Sequence, residues 1–146
     1  MEKDFDQLKL DNQLCFPLYA ASRLLTKCYQ PLLKNFDITY PQYLVLLVLW
    51  TDNNLSLTAI SEKLRLQSNT LTPLLKRMEK QGLLTRKRSK NDERSIVISL
   101  TEKGEHLKTE AVYIPPTVFE ALPLTREEVM ELHYLLYKLI DNLEDK

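Results

Sequence analysis

Glycine and cysteine are scarce in this chain: Gly82 and Gly104 are the only glycines, Cys15 and Cys28 the only cysteines. With 44% hydrophobic residues in 146, so little glycine argues for one helix-rich globular domain rather than a disordered chain. Two cysteines and two histidines without ligand spacing give no basis for a metal site, and no cofactor motif occurs. Thirteen residues separate the cysteines. On a continuous helix that is about 20 Å, whereas a disulfide needs Cα atoms within about 7 Å, so an intrachain bridge is excluded. Long apolar runs are also missing; the longest, Tyr43 to Trp50, is too short to span a bilayer. No basic-then-apolar segment opens the chain, so a cytoplasmic protein is expected, away from membranes. Repeats and low-complexity segments are absent.

Net charge is zero, which by itself speaks against a nucleic-acid partner, but the average hides two poles. From Lys76 to Arg94 stand Lys76, Arg77, Lys80, Arg86, Lys87, Arg88, Lys90 and Arg94 against Glu79, Asp92 and Glu93. From Glu120 to Lys146 the balance reverses, with seven acidic residues against three basic ones.

The basic pole coincides with a recognisable succession of elements. Residues 68–81 read as a helix in which Leu71, Leu74, Leu75 and Met78 form an apolar face, leaving Ser68, Asn69, Thr70, Thr72, Lys76 and Arg77 outward. Ser68 is placed to cap it, and Gly82 to end it in a left-handed conformation. Two strands, Leu83 to Arg88 and Ser95 to Leu100, flank the turn-rich loop Ser89 to Arg94. Upstream, Ser56 caps a helix stapled by Leu55 and Ile60, and Arg65-Leu66-Gln67 makes a tight turn, so residues 56–81 have helix-turn-helix proportions.

Outside this core, a helix is expected from Asp11 to about Gln30, either beginning its regular part near Phe16 or kinked there by Pro17. Thr39 and Gln42 have capping-box spacing before the apolar helix that includes Tyr43 to Trp50. Thr101 opens another helix, running to Tyr113 and stopping at Pro115-Pro116. Thr125 and Glu128 form a second capping box, followed by a stripe of Leu132, Leu135, Leu136, Leu139, Ile140 and Leu143. That stripe needs a cover, and either a second copy or an intramolecular core would supply one.

Asp92-Glu93-Arg94, a short strand, and then Leu100-Thr101-Glu102-Lys103-Gly104 resemble the signature of the MarR family of winged helix-turn-helix regulators. Leu10 to Phe16, Thr39 to Tyr43 and Leu71 to Glu79 further resemble one branch, the repressors of organic-hydroperoxide resistance. The fold so implied is mainly α: a winged helix-turn-helix over residues 37–100 with a two-stranded β wing, and a dimerisation region of helices from residues 1–36 and 101–146. A homodimer on a pseudo-palindromic double-stranded operator follows, with half-sites about one DNA turn apart.

Hydroxyls and amides at a helix N-terminus suit base edges, so Ser68, Asn69, Thr70 and Thr72 are candidate readers, while Lys76 and Arg77 suit phosphates. By resemblance, Arg94 enters the minor groove, Asp92 steers it or holds the hairpin, and Lys90 flanks the backbone. The branch usually carries Asp-Ser-Gly-Thr where this chain has Gln67-Ser68-Asn69-Thr70. Both Gln and Asn can pair with adenine, so Gln67 joins the candidate readers and the operator preference is open.

For regulation, Cys15 stands out. A thiolate attacks peroxide, and a helix N-terminus near Pro17 promotes ionisation. The branch surrounds its sulfur with tyrosine hydroxyls; Tyr29 and Tyr40 match those positions, expected from the opposite subunit, and Tyr19 lies one turn from Cys15. Oxidation by an organic hydroperoxide to sulfenic acid, then a mixed disulfide with a low-molecular-weight thiol, would displace the reading helices. With no cysteine in the C-terminal third, the chain resembles the one-cysteine type, and Cys28 is expected to be a packing residue. An enzyme, a thiol peroxidase, needs a resolving group that is not evident; His106 and His133 lie outside any motif. Two other regulators compete, one released by a phenolic or drug-like ligand and one a redox-sensitive global regulator of virulence and surface genes.

Overall fold

The computed structural model describes residues 4–144; Asp145 and Lys146, part of the acidic pole, lie outside the described residues. Two 3-10 turns, Asp6–Leu8 and Leu10–Asn12, precede α1 (Cys15–Lys34) and α2 (Tyr40–Thr51). Then come β1 (Leu55–Ser56), α3 (Leu57–Leu64), α4 (Ser68–Lys80), β2 (Leu84–Arg88) and β3 (Ile96–Leu100). The chain ends in α5 (Glu102–Ala111), α6 (Ile114–Glu120) and α7 (Arg126–Glu144). It divides into two compact units, one up to Ile114 and one from Pro115.

In the first unit α2, α3 and α4 pack on one another, and α3 and α4 pack on the sheet. Val45, Leu46, Ile60, Leu71, Leu75, Met78 and Ile98 are wholly buried there. Each such side chain contributes roughly 1.5–3 kcal/mol by leaving water. The helical spacing of Leu71, Leu74, Leu75 and Met78 is what commits α4 to this core and turns its polar side outward. Thr39 caps α2 with Gln42 in a complete capping box, and Thr125 and Glu128 do the same ahead of α7 in the second unit. The apolar stripe of α7 buries none of its residues.

The expected two-stranded wing carries a third strand: the sheet order is β1-β3-β2, all antiparallel, with Leu55 opposite Ile98 on one side and Arg86 opposite it on the other. A two-residue strand is too short to show alternation, and Leu55 and Ser56 already read as a helix start.

Other expectations shift at the ends of elements. Regular helix runs from Cys15 through Pro31 to Lys34, with Leu10–Asn12 a separate 3-10 turn. Leu83 belongs to the turn closing α4, where its N–H donates to the Met78 carbonyl at 3.0 Å. Ser95 precedes β3, its N–H donating to the Asp92 carbonyl. Pro115 and Pro116 do not stop a helix; α5 ends at Ala111 and the prolines occupy the first turn of α6, where a missing N–H is harmless.

Candidate nucleic-acid interface and cysteine site

Ser56 accepts the Ala59 N–H at 3.0 Å and starts α3. Arg65, at φ 53°, then reverses the chain, with the Leu66 N–H returning to the Ser61 carbonyl, and α4 begins three residues on. Ser68 is not the cap of α4. Gln67 occupies that position in extended conformation without a side-chain cap, while Ser68 is already helical and its carbonyl accepts the Thr72 hydroxyl at 2.8 Å. The Thr70 and Leu71 N–H groups donate to the Gln67 carbonyl at 3.0 and 3.1 Å, and no side chain caps the first turn of α4.

Gln67, Ser68, Asn69, Thr70, Lys76 and Arg77 are exposed, as are Pro73 and Lys80. Steps of three and four residues put Asn69, Pro73, Lys76 and Lys80 on the side opposite the core. Lys80 thus joins the basic stripe, and its i+4 spacing from Lys76 is the signal that finds it. Thr72 is half-buried with its proton committed to Ser68, so only its oxygen lone pairs face outward.

At the wing tip the Asp92 carboxylate accepts the Arg94 N–H at 3.0 Å, and the Asp92 carbonyl accepts that of Ser95 at 3.0 Å. Asp92 thus shapes the hairpin; the side chains of Lys90 and Arg94 are exposed on it. The base of the wing is held by residues sequence reasoning missed. Asn53 Oδ1 accepts the Leu100 N–H at 3.0 Å, and Asn54 Oδ1 accepts the Ser99 hydroxyl at 2.6 Å. Arg86 leaves the basic pole altogether, paired with Glu79 beneath α4.

Cys15 is exposed and is the first residue of α1, whose cap, Leu14, offers no side-chain acceptor. Its sulfur therefore stands at the positive end of a helix dipole. Tyr19, one turn on, is exposed with the Arg23 guanidinium 5.3 Å from its ring centre. Cys28 is exposed in the described chain, its thiol donating to the Leu24 carbonyl at 3.4 Å.

Tyr29 and Tyr40 come together with ring centres 4.8 Å apart. Tyr43, which sequence reasoning assigned only to the core, lies 5.8 Å from Tyr29 and 6.3 Å from Tyr40. Burial raises the phenol of Tyr29, with a smaller push from the Cys28 thiol. Burial also raises that of Tyr40, helped by Tyr29. Tyr43 is pushed up to about 12, by burial first and by its two neighbours second. All three remain protonated donors at neutral pH. The fourteen-residue rise along α1 separates Tyr29 from Cys15 of the same chain by about 21 Å, so the cluster and that thiol do not meet within one protomer.

Residues 27–111 match the family model described as transcriptional regulator SarA/Rot. The chain is 54% identical to the organic hydroperoxide resistance transcriptional regulator of Bacillus subtilis (strain 168), over 100% of this chain and 99% of that one. Reduced AbfR bound to DNA superposes with a TM-score of 0.81 at 42% identity, covering 97% of this chain and 96% of that chain. Disulfide-formed AbfR gives 0.62 at 43% identity, covering 96% and 93%.

Proposed function

Because the chain belongs to the SarA/Rot and MarR-type winged-helix transcription regulators, DNA-binding proteins rather than enzymes, we propose that it is a homodimeric cytoplasmic repressor that releases a pseudo-palindromic operator when an organic hydroperoxide oxidises Cys15. The observation that carries this is the placement of Cys15, an exposed thiol at an uncapped helix start, in a chain so similar end to end to a hydroperoxide-resistance regulator.

In this reading α4 lies in the major groove. Gln67, Ser68, Asn69 and Thr70 face base edges, with Thr72 contributing an acceptor; Lys76, Arg77 and Lys90 neutralise phosphates; Arg94 enters the minor groove, aimed by Asp92. The helices of residues 1–36 and 101–146 join the two copies. Support comes from the uncovered apolar side chains of α1 and α7, Phe16, Leu24, Leu132 and Leu135 among them. Such surface on a folded chain marks an interface.

Pairing also resolves the distance between Cys15 and the tyrosines. Two copies of α1 crossing about a two-fold axis bring each Cys15 toward the partner's Tyr29 and Tyr40, whose raised pKa values keep them as donors to a thiolate. Oxidation transfers one peroxide oxygen to sulfur: the thiolate and ROOH give Cys–SOH and an alkoxide, which is protonated to ROH. Condensation with a small thiol then forms a mixed disulfide and releases water. The sulfur no longer accepts the two phenols, and the added bulk separates the copies.

An operator shift assay with and without cumene hydroperoxide, on the parent and on Cys15→Ser, tests this. Release of the parent and retention of the variant are expected. Equal release of both would instead indicate a ligand-responsive regulator, and release of neither would remove the redox switch.

A further inference from the structure

Gln42 is the buried polar side chain of the described core, 4% exposed, and its hydrogen bonds run further than helix capping needs. Its Oε1 accepts the Thr39 N–H at 3.0 Å. That leaves its Nε2 to donate to Gln81 Oε1 at 3.0 Å. The Gln81 Nε2 in turn donates to the Asp37 carbonyl at 2.7 Å. Gln81 ends α4; Asp37, at φ 54°, and Thr39 lie in the turn between α1 and α2. The circuit thus leaves that turn at Thr39, passes through two glutamines and returns to it at Asp37.

Both ends are backbone groups of fixed sense, a donor at Thr39 and an acceptor at Asp37. Only one orientation of each amide satisfies them together. Further bonds brace the ends. The Asp37 N–H donates to the Lys34 carbonyl at 3.1 Å, tying the turn to the last residue of α1. The Gln81 carbonyl accepts Lys103 Nζ at 2.8 Å, tying the end of α4 to α5. A capping box needs only Thr39 and Gln42, so the span to Gln81 has no capping purpose.

We propose that Gln42 and Gln81 are positioning residues for operator recognition: their paired amides fix the C-terminal end of α4 to the turn that ends the cysteine-bearing helix α1. Neither touches DNA. They set the angle at which α4 leaves the core, and so the register of Asn69 to Arg77 in the groove. The proposal rests on α4 being the reading helix and does not require the redox switch.

The test uses full-length reduced protein, with a duplex enriched by the parent from a randomised library and an unrelated duplex of equal length. Gln42→Glu keeps the acceptor for Thr39 but confronts the Gln81 oxygen with another oxygen. Gln81→Met removes the link from the α4 side, and Gln42→Met/Gln81→Met replaces it by apolar groups of similar volume. Each variant is expected to lose at least tenfold in affinity for the enriched duplex while staying within twofold on the unrelated one. The double variant also loses the capping acceptor for Thr39, so it is expected to melt lower; selectivity is therefore compared well below every variant's melting temperature, where lost selectivity with retained affinity for the unrelated duplex is an outcome that general destabilisation does not produce. Selectivity within twofold of the parent in the folded variants overturns the proposal; if Gln42→Glu does not fold, the two methionine variants decide. A parent that enriches no sequence overturns the reading-helix assignment and the role of the pair with it, whatever hydroperoxide does.

Discussion

The Glu79 carboxylate accepts both the backbone N–H of Arg86 at 2.9 Å and its guanidinium at 3.3 Å. One acidic residue thereby holds β2 to α4. It also neutralises one cation of the basic segment between Lys76 and Arg94. Arg86 Nε is buried without a hydrogen-bond partner, so the guanidinium depends on Glu79 for its remaining charge compensation.

Glu79→Ala should therefore destabilise the fold by about 1–3 kcal/mol, the usual penalty for stranding a part-buried polar group. In a chain of this size each kcal/mol corresponds to roughly 2–4 °C in melting temperature. Glu79→Ala/Arg86→Met should recover only the part of the loss owed to the guanidinium, because the Arg86 backbone N–H still lacks the carboxylate that accepts it. A thermal double-mutant cycle measures this; additive losses would show that the pair is not coupled.

Salt dependence separates the cations that meet phosphate from those that do not. Lys76→Ala and Lys80→Ala should each reduce the slope of log K against log salt by about 0.9 for every copy of the side chain on the DNA. Arg86→Met should leave the slope unaltered. Asn69→Ala should also leave it unaltered, but relax preference at one base position by about 1–3 kcal/mol. Fluorescence anisotropy titrations at several salt concentrations distinguish the three behaviours.

The contrast between Arg86 and Lys76 marks how far the sequence could be read. Periodicity found α4 and its apolar face, because four large side chains at helical spacing can serve only one core. Thr39, Gln42, Ser56 and Gly82 announced their roles, since capping and positive φ depend on neighbours within a few residues. What escaped detection was long-range or cumulative. Strand β1 is two residues long, and the Gln42–Gln81 bridge joins positions 39 apart. The cap of α4 lies one position before Ser68, the stronger capping type, because Gln67 holds it while the Ser68 carbonyl accepts the Thr72 hydroxyl. The pairing of Tyr29 with Tyr40 was legible by resemblance alone. Tyr43 read as core, and only its ring contacts place it in the cluster.

Those tyrosines imply an alkaline limit to stability. With its phenol raised to about 12 in the fold, against about 10 unfolded, Tyr43 keeps its proton in the native state where the unfolded chain has released it. Stability present below pH 10 is therefore lost as pH climbs toward 12, with Tyr29 and Tyr40 acting in the same direction. Urea midpoints should fall across that window, and fall less steeply in Tyr43→Phe. Absorbance at the tyrosinate band should show phenols titrating above the ordinary range; a single normal transition for all of them would refute the shift.

The two glycines should respond to alanine in different ways. Gly82 has φ +75° with only Lys103 Cδ, at 4.0 Å, near an added Cβ. Gly82→Ala therefore incurs backbone strain alone, roughly 1–2 kcal/mol. At Gly104 the added carbon would lie 2.1 Å from the Leu83 carbonyl oxygen and 3.0 Å from Leu100 Cδ2. That carbonyl is fixed, since it accepts the Thr101 N–H at 3.1 Å, so α5 itself must move. Its displacement would pull the Gly104 carbonyl from Trp50 Nε1, now 2.9 Å away. Gly104→Ala should consequently cost about 3 kcal/mol or more, at or beyond the upper end for overpacking, and shift the emission of Trp50, the only tryptophan. Gly82→Ala should lower the urea midpoint with parental emission, so equal spectra for both variants would show that α5 does not rest on Leu83 as described.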